Sequence, residues 1–357
     1  MQIPENEIRL THFAHGAGCG CKISPLILDE ILKGNKTQNF PNLLVGNDSH
    51  DDAAVLLING DEALISTSDF FTPIVDDPFL FGKIAAANAL SDVYAMGGTP
   101  ILALAILGWP VEKLPASLAN QVIKGAIEVC KEAGIPLAGG HSIDAAEPFF
   151  GLSVNGTVKL IHLKRNDTLN EGDFLFMTKP IGIGILTTAA KRDQLQKEDE
   201  VHLHKYITQL NKFGAQLAKF DYVSAMTDIT GFGLAGHLLE MLGKNELSAE
   251  IYADKIPLMP GLDYYLNKMI VPDATYRNWK AYHDQIQIEP NVNGTHMFQL
   301  LPDPQTNGGL LFSVKSESLN EIKSFLRANN LGDFAEPIGR IIGKAEKKVV
   351  VRVSKVY

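Results

Sequence analysis

The chain has 357 residues, 45% of them hydrophobic and 20% charged, and carries a net charge of −9 at neutral pH. That length exceeds one ordinary core and fits two globular domains, no stretch approaches the apolar length of a membrane span, and the negative charge argues against a nucleic-acid partner. Three cysteines, two of them one residue apart, cannot build a disulfide framework and fit a reducing compartment. The first residues show no basic region ahead of an apolar core, so a cytoplasmic protein is expected.

The first informative run is His15-Gly-Ala-Gly-Cys-Gly-Cys-Lys22. Three glycines in five positions carry a backbone-entropy cost that neither helix nor strand would offset, and their use is to let backbone N–H groups approach an anion. Lys22 adds a point charge. An ammonium beside a thiol favours thiolate, pulling Cys19 or Cys21 below the ordinary thiol pKa of about 8.5 and making it nucleophilic. A flexible loop and half of a zinc site are the alternatives; zinc would need histidines, because the remaining cysteine, Cys130, falls in a helical pattern. The run lacks the preceding strand and the spacing of a Walker loop or a dinucleotide fingerprint.

Pro25 to Leu32 predicts a short helix ended by Gly34-Asn35, and a polar connection follows. Asp51-Asp52 opens a strand through Leu57, and a turn at Asn59-Gly60 leads into a second strand, Ala63 to Asp69, as a β-hairpin. In that register position 52 falls nearly opposite position 67, making Asp52 and Asp69 diagonal neighbours roughly 7–8 Å apart. Carboxylates that close repel unless something positive lies between them. Phe81 to Met96, Ala-rich and stopped by Gly97-Gly98, predicts a helix on which Asn88 and Asp92 share one face at i and i+4. An acid near a helix C-terminus opposes the macrodipole and needs a compensating partner, of which a metal ion is one. Ile101 to Leu107, in the longest apolar run, predicts a buried strand, and Leu118 to Ala133 a helix with Cys130 as an inert core thiol. A short strand then ends in Gly139-Gly140-His141-Ser142, either a phosphate or ribose loop or a tight turn. Phe149 to Leu160 closes an α+β domain.

The pattern restarts near Arg165. Asp173 to Thr178 predicts a strand, Lys179 to Gly184 a turn into a helix, and His202 to Ala218 a longer helix. Val223 to Met226 is a short strand delivering Asp228 ahead of a glycine-rich helix start, a metal or phosphate position unless Asp228 is only an N-cap. Asp303-Pro-Gln-Thr-Asn-Gly-Gly309 precedes a strand from Leu310 to Val314, a helix from Ser318 to Ala328 and two final strands. The expected organisation is a glycine-rich segment over 1–48, a first, metal-binding domain over 49–162 and a C-terminal domain over 163–357.

Taken together, His15 to Lys22, Asp51-Asp-Ala-Ala-Val55, Ser91-Asp-Val-Tyr-Ala-Met-Gly-Gly98, Gly139 to Ser142, Thr227-Asp-Ile-Thr-Gly-Phe-Gly-Leu234 and Asp303 to Gly309 resemble the selenophosphate synthetase family, the selenide, water dikinases. The later motifs are shared with the wider aminoimidazole ribonucleotide synthetase-like superfamily, and the Cys-Gly-Cys-Lys run is the part that specifies selenium. The resemblance implies an α+β fold in two domains: an N-terminal mixed sheet with helices on one face, pairing with its copy in a homodimer, and a C-terminal α/β sandwich. It implies conversion of ATP, selenide and water to selenophosphate, AMP and phosphate, with magnesium and a monovalent ion such as potassium. Carried over by motif, Cys19 is the selenium-handling nucleophile and Lys22 the phosphate-contacting base. Asp52, Asp92 and Asp228 hold magnesium; Asp69 and Asp92, with Ser49, His50 and Asp51 and with Gly140, His141 and Ser142, contact ATP. Two departures stand out: His50 replaces a longer basic residue, and Asn307 replaces a serine. A superfamily relative acting on another small molecule would use ATP without selenide, whereas a selenium or zinc carrier built on Cys19 and Cys21 would have no use for carboxylates on three elements.

Overall fold

The computed structural model describes residues 8–14, 18, 22–23, 25–34, 40–46, 51–243 and 245–354. Cys19, Cys21, Ser49 and His50 lie outside the described residues. Helix α1 (Pro25–Leu32) precedes a six-stranded sheet built from β1 (Leu43–Val45), β2 (Ala54–Asn59), β3 (Glu62–Phe71), β4 (Thr99–Trp109), β5 (Leu137–Asp144) and β6 (Phe149–Lys159) in the order β1-β2-β3-β6-β4-β5. Only β4 and β5 run parallel; the rest of the sheet is antiparallel. Between these strands come α2 (Pro78–Ala95) and α3 (Ala116–Ala133), which pack on each other and on one sheet face. The connection read as merely polar supplies β1, which pairs with β2.

The second half forms a seven-stranded mixed sheet in the order β10-β13-β9-β12-β7-β11-β8. In chain order its elements are β7 (Phe174–Met177), α4 (Ile183–Lys191), α5 (Lys197–Thr208), α6 (Phe213–Leu217), β8 (Val223–Asp228), α7 (Gly233–Leu242) and β9 (Leu247–Tyr252). Then follow α8 (Leu262–Asn267), α9 (Asp273–Tyr282), β10 (Ile286–Ile288), α10 (Gly294–Leu300), β11 (Leu310–Val314), α11 (Leu319–Ala328), β12 (Gly339–Gly343) and β13 (Val349–Arg352).

Helix α2 is the axis of the molecule. Asp77 caps it by accepting from the Leu80 N–H at 2.9 Å, Pro78 sits in its first turn, and Gly97 at φ +78° ends it. Its start is therefore three residues earlier than Phe81, and the Asp77-Pro78 pair was the signal for it. Nearly every residue from Phe81 to Ala95 is buried. An all-round apolar helix needs cover on all sides, and α2 has it: the first sheet and α3 on one flank, β8, α5 and α6 of the second half on the other. At the α6 crossing the backbones nearly touch, since a Cβ added to Gly214 would lie 2.1 Å from the Tyr94 carbonyl oxygen.

Four local expectations are corrected. The hairpin turns on Gly60-Asp61, with Asn59 paired to Glu62 and a register shift beyond Leu57, so Ala54 pairs with Ser66 and the continuation sets Asp52 against Ser68 instead of Thr67. The run Gly139 to Ser142 lies inside β5. Glycine serves there because the edge strand hugs its neighbour: Gly140 has φ +150° and a Cβ on it would meet the Ala105 oxygen at 2.0 Å. The single helix expected over 202–218 breaks at residues 209–212 into α5 and α6. The buried strand expected from Ile101 is only half buried, with Ile101 and Leu104 on the open face of the sheet.

Candidate active site

Four aspartates singled out from the sequence stand along α2 and the strand ends on either side of it. Asp92 is presented by α2 itself and Asp69 by β3, while Asp52 precedes β2 and Asp228 ends β8 of the second half. The shared face of Asn88 and Asp92 does what the spacing predicted. The Asn88 amide donates to Asp69 Oδ2 at 2.8 Å, and the Thr67 hydroxyl donates to Asp92 Oδ2 at 2.6 Å.

Each of the three aspartates expected to hold metal is tied by one hydroxyl. Thr227 donates to Asp52 Oδ1 at 2.8 Å, Thr67 to Asp92, and Ser91 to Asp228 Oδ2. Two of these bonds cross between the halves. Asp52 Oδ2 is shielded from water and has no hydrogen-bond partner among the described residues. Burial, then the charges of Asp228 and Asp92, hold the Asp52 carboxyl well above the usual range. Asp92 is raised by burial and then by Asp228 and Asp69; Asp228 is raised chiefly by burial, against the Ser91 bond. The charges that bear most on Asp52 are thus those of Asp228 and Asp92, and the expected Asp52–Asp69 pair is not the dominant one. Among the described residues no three carboxylate, histidine or cysteine side chains form a ready-made metal cage. What the carboxylates offer is crowded negative charge around an orphaned oxygen, which suits cations that take one or two carboxylates each and draw their other ligands from phosphate and water.

Lys22 brings its ammonium to 3.6 Å from Asp69 Oδ2, so this end of the N-terminal segment reaches the carboxylates. The Asp51 side chain fastens the halves together: its Oδ1 accepts from the Asn166 N–H at 2.8 Å and its Oδ2 lies 3.8 Å from Arg165 Nε. Gly140 stands in one cross-strand row with Asp69, through Leu152 and Ala105. Three strand spacings put it roughly 14 Å away, on an edge strand that is exposed from Ala138 onward. Cys130 is buried and its thiol is pushed up to about 11, the inert state expected of it.

Sequence reasoning missed the scaffold behind the aspartates. In the 303–309 motif, Gln305 Oε1 accepts from the Gly182 and Ile183 N–H groups at 3.2 and 3.1 Å and Asp303 Oδ2 from Gly184 at 3.1 Å, so these two side chains satisfy the start of α4. Burial pushes the Asp303 carboxyl up to about 8. Asn307 sits at φ +51°, a conformation asparagine tolerates better than serine, and its N–H donates to Asn88 Oδ1 at 2.7 Å. The fully buried Lys179 donates to the Gln209 and Asn307 carbonyls at 2.7 and 2.8 Å, and burial brings its ammonium down to about 7. The signal for Lys179 was its place between a strand end and a Pro-Ile-Gly-Ile-Gly turn.

Comparison with known proteins agrees with this arrangement. Residues 50–158 match the N-terminal domain of AIR synthase related protein, and residues 170–352 match its C-terminal domain. A selenide, water dikinase of Shewanella baltica is 54% identical over 332 residues, covering 93% of both chains, and one from another Shewanella strain is 53% identical over 334 residues, again 93% of both. Among solved structures, thiamine monophosphate kinase from Aquifex aeolicus superposes with a TM-score of 0.65 at 19% identity, covering 92% of this chain and 97% of that one. Hydrogenase maturation protein HypE in complex with ATP superposes at 0.62 with 17% identity, covering 97% and 95%, and these two likenesses bear on the fold alone. With both AIR synthase related domains present and more than half of the residues shared with dikinases along nearly its whole length, the chain belongs to the selenide, water dikinase family.

Proposed function

We propose that this chain makes selenophosphate from ATP, selenide and water, releasing AMP and phosphate. The observation that carries the phosphoryl-transfer part is the buried gathering of Asp52, Asp92 and Asp228 from both halves, held at mutual repulsion by three hydroxyls. Such a cluster suits a polyphosphate and its counter-ions. Magnesium held by Asp52, Asp92 and Asp228 would neutralise charge on the transferring phosphate oxygens. Lys22, poised beside Asp69, is assigned the phosphate contact. Asp69 and the backbone of Ser49 to Asp51 are assigned to the nucleotide, with Gly140, His141 and Ser142 as further contacts. Cys19, which follows Gly18 directly in the glycine-rich run, is assigned the selenium, a soft atom for which a thiolate is the matching partner. Domain limits of 49–162 and 163–357 are proposed with it, as is a cytoplasmic location; no described helix is long and apolar enough to cross a membrane.

The nucleotide product separates this reading from that of a related small-molecule kinase. Incubated with ATP and magnesium, the protein is expected to release AMP and orthophosphate only when selenide is present. ADP as the final nucleotide, or AMP at the same rate without selenide, would assign the chain to other chemistry.

We also propose a homodimer formed through the open face of the first sheet. Leu56, Ile58, Phe70, Ile101 and Leu104 are exposed there, with Phe70 at 50% and packed beside Phe149 at a centroid distance of 5.5 Å. A contiguous apolar face of this kind marks an interaction surface. The protein is expected to sediment at twice the chain mass and Phe70→Glu to sediment as a monomer; an unchanged mass for both would remove this face from the assembly.

A further inference from the structure

Ser91 and Asn211 touch nothing that reacts, yet their hydrogen bonds have only one possible direction. The ionised Asp228 Oδ2, the form a metal ligand takes, can only accept, so Ser91 must give it its single hydroxyl proton. The Asn211 amide must then donate to Ser91 Oγ, which it does at 2.7 Å, while its second proton goes to the Gly308 carbonyl at 2.8 Å. Turning that amide over would set an oxygen against the Gly308 oxygen and draw the Ser91 proton away from Asp228. Both side chains are almost completely buried, at 0% and 3% exposure, so water cannot substitute for either bond.

The relay starts in the second half, passes through the first half's α2 and returns to the second half's carboxylate. Its base is firm. Asn211 lies in the break between α5 and α6, where the Gln209 carbonyl accepts from Lys179 Nζ and, at 3.0 Å, from the Asn307 amide. The helix break is thereby fixed to the same loop that docks on Asn88.

We propose that Ser91 and Asn211 are positioning residues that make the aim of Asp228 depend on the docking of the two halves. Rotation of either half relative to the other breaks the bond at Ser91, and the carboxylate then turns away from Asp52 and Asp92. Magnesium is thus held well only in the docked form. This rests on the assignment of Asp228 as a metal ligand, and it is tested by binding alone, so that it and the selenide reaction can fail separately.

The test is calorimetric titration of magnesium into protein saturated with a non-hydrolysable ATP analogue, with the melting temperature recorded for each variant. Ser91→Ala and Asn211→Asp are expected to weaken magnesium binding by about 10–100-fold, the usual effect of removing a group that orients a metal ligand. Asn211→Asp is informative because it keeps the size and reverses the relay: an acceptor at that position takes the Ser91 proton from Asp228. Ser91→Thr, which retains the hydroxyl, is expected to stay within about 3-fold of the parent. Wild-type magnesium affinity in both Ser91→Ala and Asn211→Asp would overturn the proposal. So would a loss of affinity that only parallels loss of folded protein in both variants.

Discussion

Asp52→Asn and Asp228→Asn are each expected to lower magnesium- and ATP-dependent turnover by about 100-fold or more, some 2.7 kcal/mol in transition-state terms, while raising the melting temperature of the nucleotide-free protein. The two effects have one cause. Asp52 and Asp92 are pushed above the usual carboxylate range by burial and then by the charge of Asp228, and Asp228 by burial, so the folded chain binds protons that the unfolded chain has already released. For a carboxyl raised on folding, stability is fully present below the unfolded pKa of about 3.9 and is lost as pH climbs through the folded value. At neutral pH the ionised cluster is therefore a destabilising element. An asparagine keeps an oxygen to accept from Thr227 or Ser91 and removes one charge from the repulsion. Each kcal/mol so relieved is worth roughly 2–4 °C in a domain of this size. Thermal scans between pH 5 and pH 8 check the sign: the parent should lose stability relative to Asp52→Asn as the pH rises. A variant that melts lower than the parent at every pH would show that these carboxylates support the fold.

Cys19→Ser is expected to abolish selenophosphate formation, by on the order of 10³-fold or more, while ATP binding survives. A serine hydroxyl keeps the size of the thiol, but it ionises far less readily and is a poor partner for soft selenium. The nucleotide is assigned to other groups, Asp69, the Gly140 strand and the magnesium carboxylates, so its affinity should stay near the parent's. Cys21→Ser should keep substantial activity, because Cys21 adjoins Lys22 and leads toward α1. Selenide-dependent turnover and equilibrium ATP binding, measured on both variants, separate the roles. Silent substitutions at both positions, or sensitivity at Cys21 alone, would reassign the nucleophile.

The aspartates were readable because each sits at a boundary that sequence marks well. Asp228 ends a strand before glycines, Asp52 opens a hairpin, and Asp92 shares a helical face with Asn88 four residues away. What supports them was not readable. The α5–α6 break carries neither Pro nor Gly before Gly214, and Leu203, Ile207, Leu210 and Leu217 continue an apolar pattern that all four satisfy by burial. Tertiary bonds at Ile207, Gln209 and Asn211 end the helix, and local propensity is silent about those. The hairpin slipped by one position because Asn59-Gly60 is a strong turn signal and the chain turns one residue later. Gly139-Gly140 looked like a turn for a related reason: glycine marks either a bend or a close backbone approach, and here it is the approach to Ala105. The half-open first sheet was hidden for another cause, since an apolar run does not reveal whether its second face meets the same chain or another copy.

Selenophosphate synthesis itself is tested most directly by following the phosphorus. With ATP, magnesium and ⁷⁷Se-labelled selenide, ³¹P spectroscopy should show one new phosphorus resonance split by bonded selenium for every AMP released, and neither product without the protein. AMP or ADP accumulating with no selenium-coupled phosphorus would contradict the assignment.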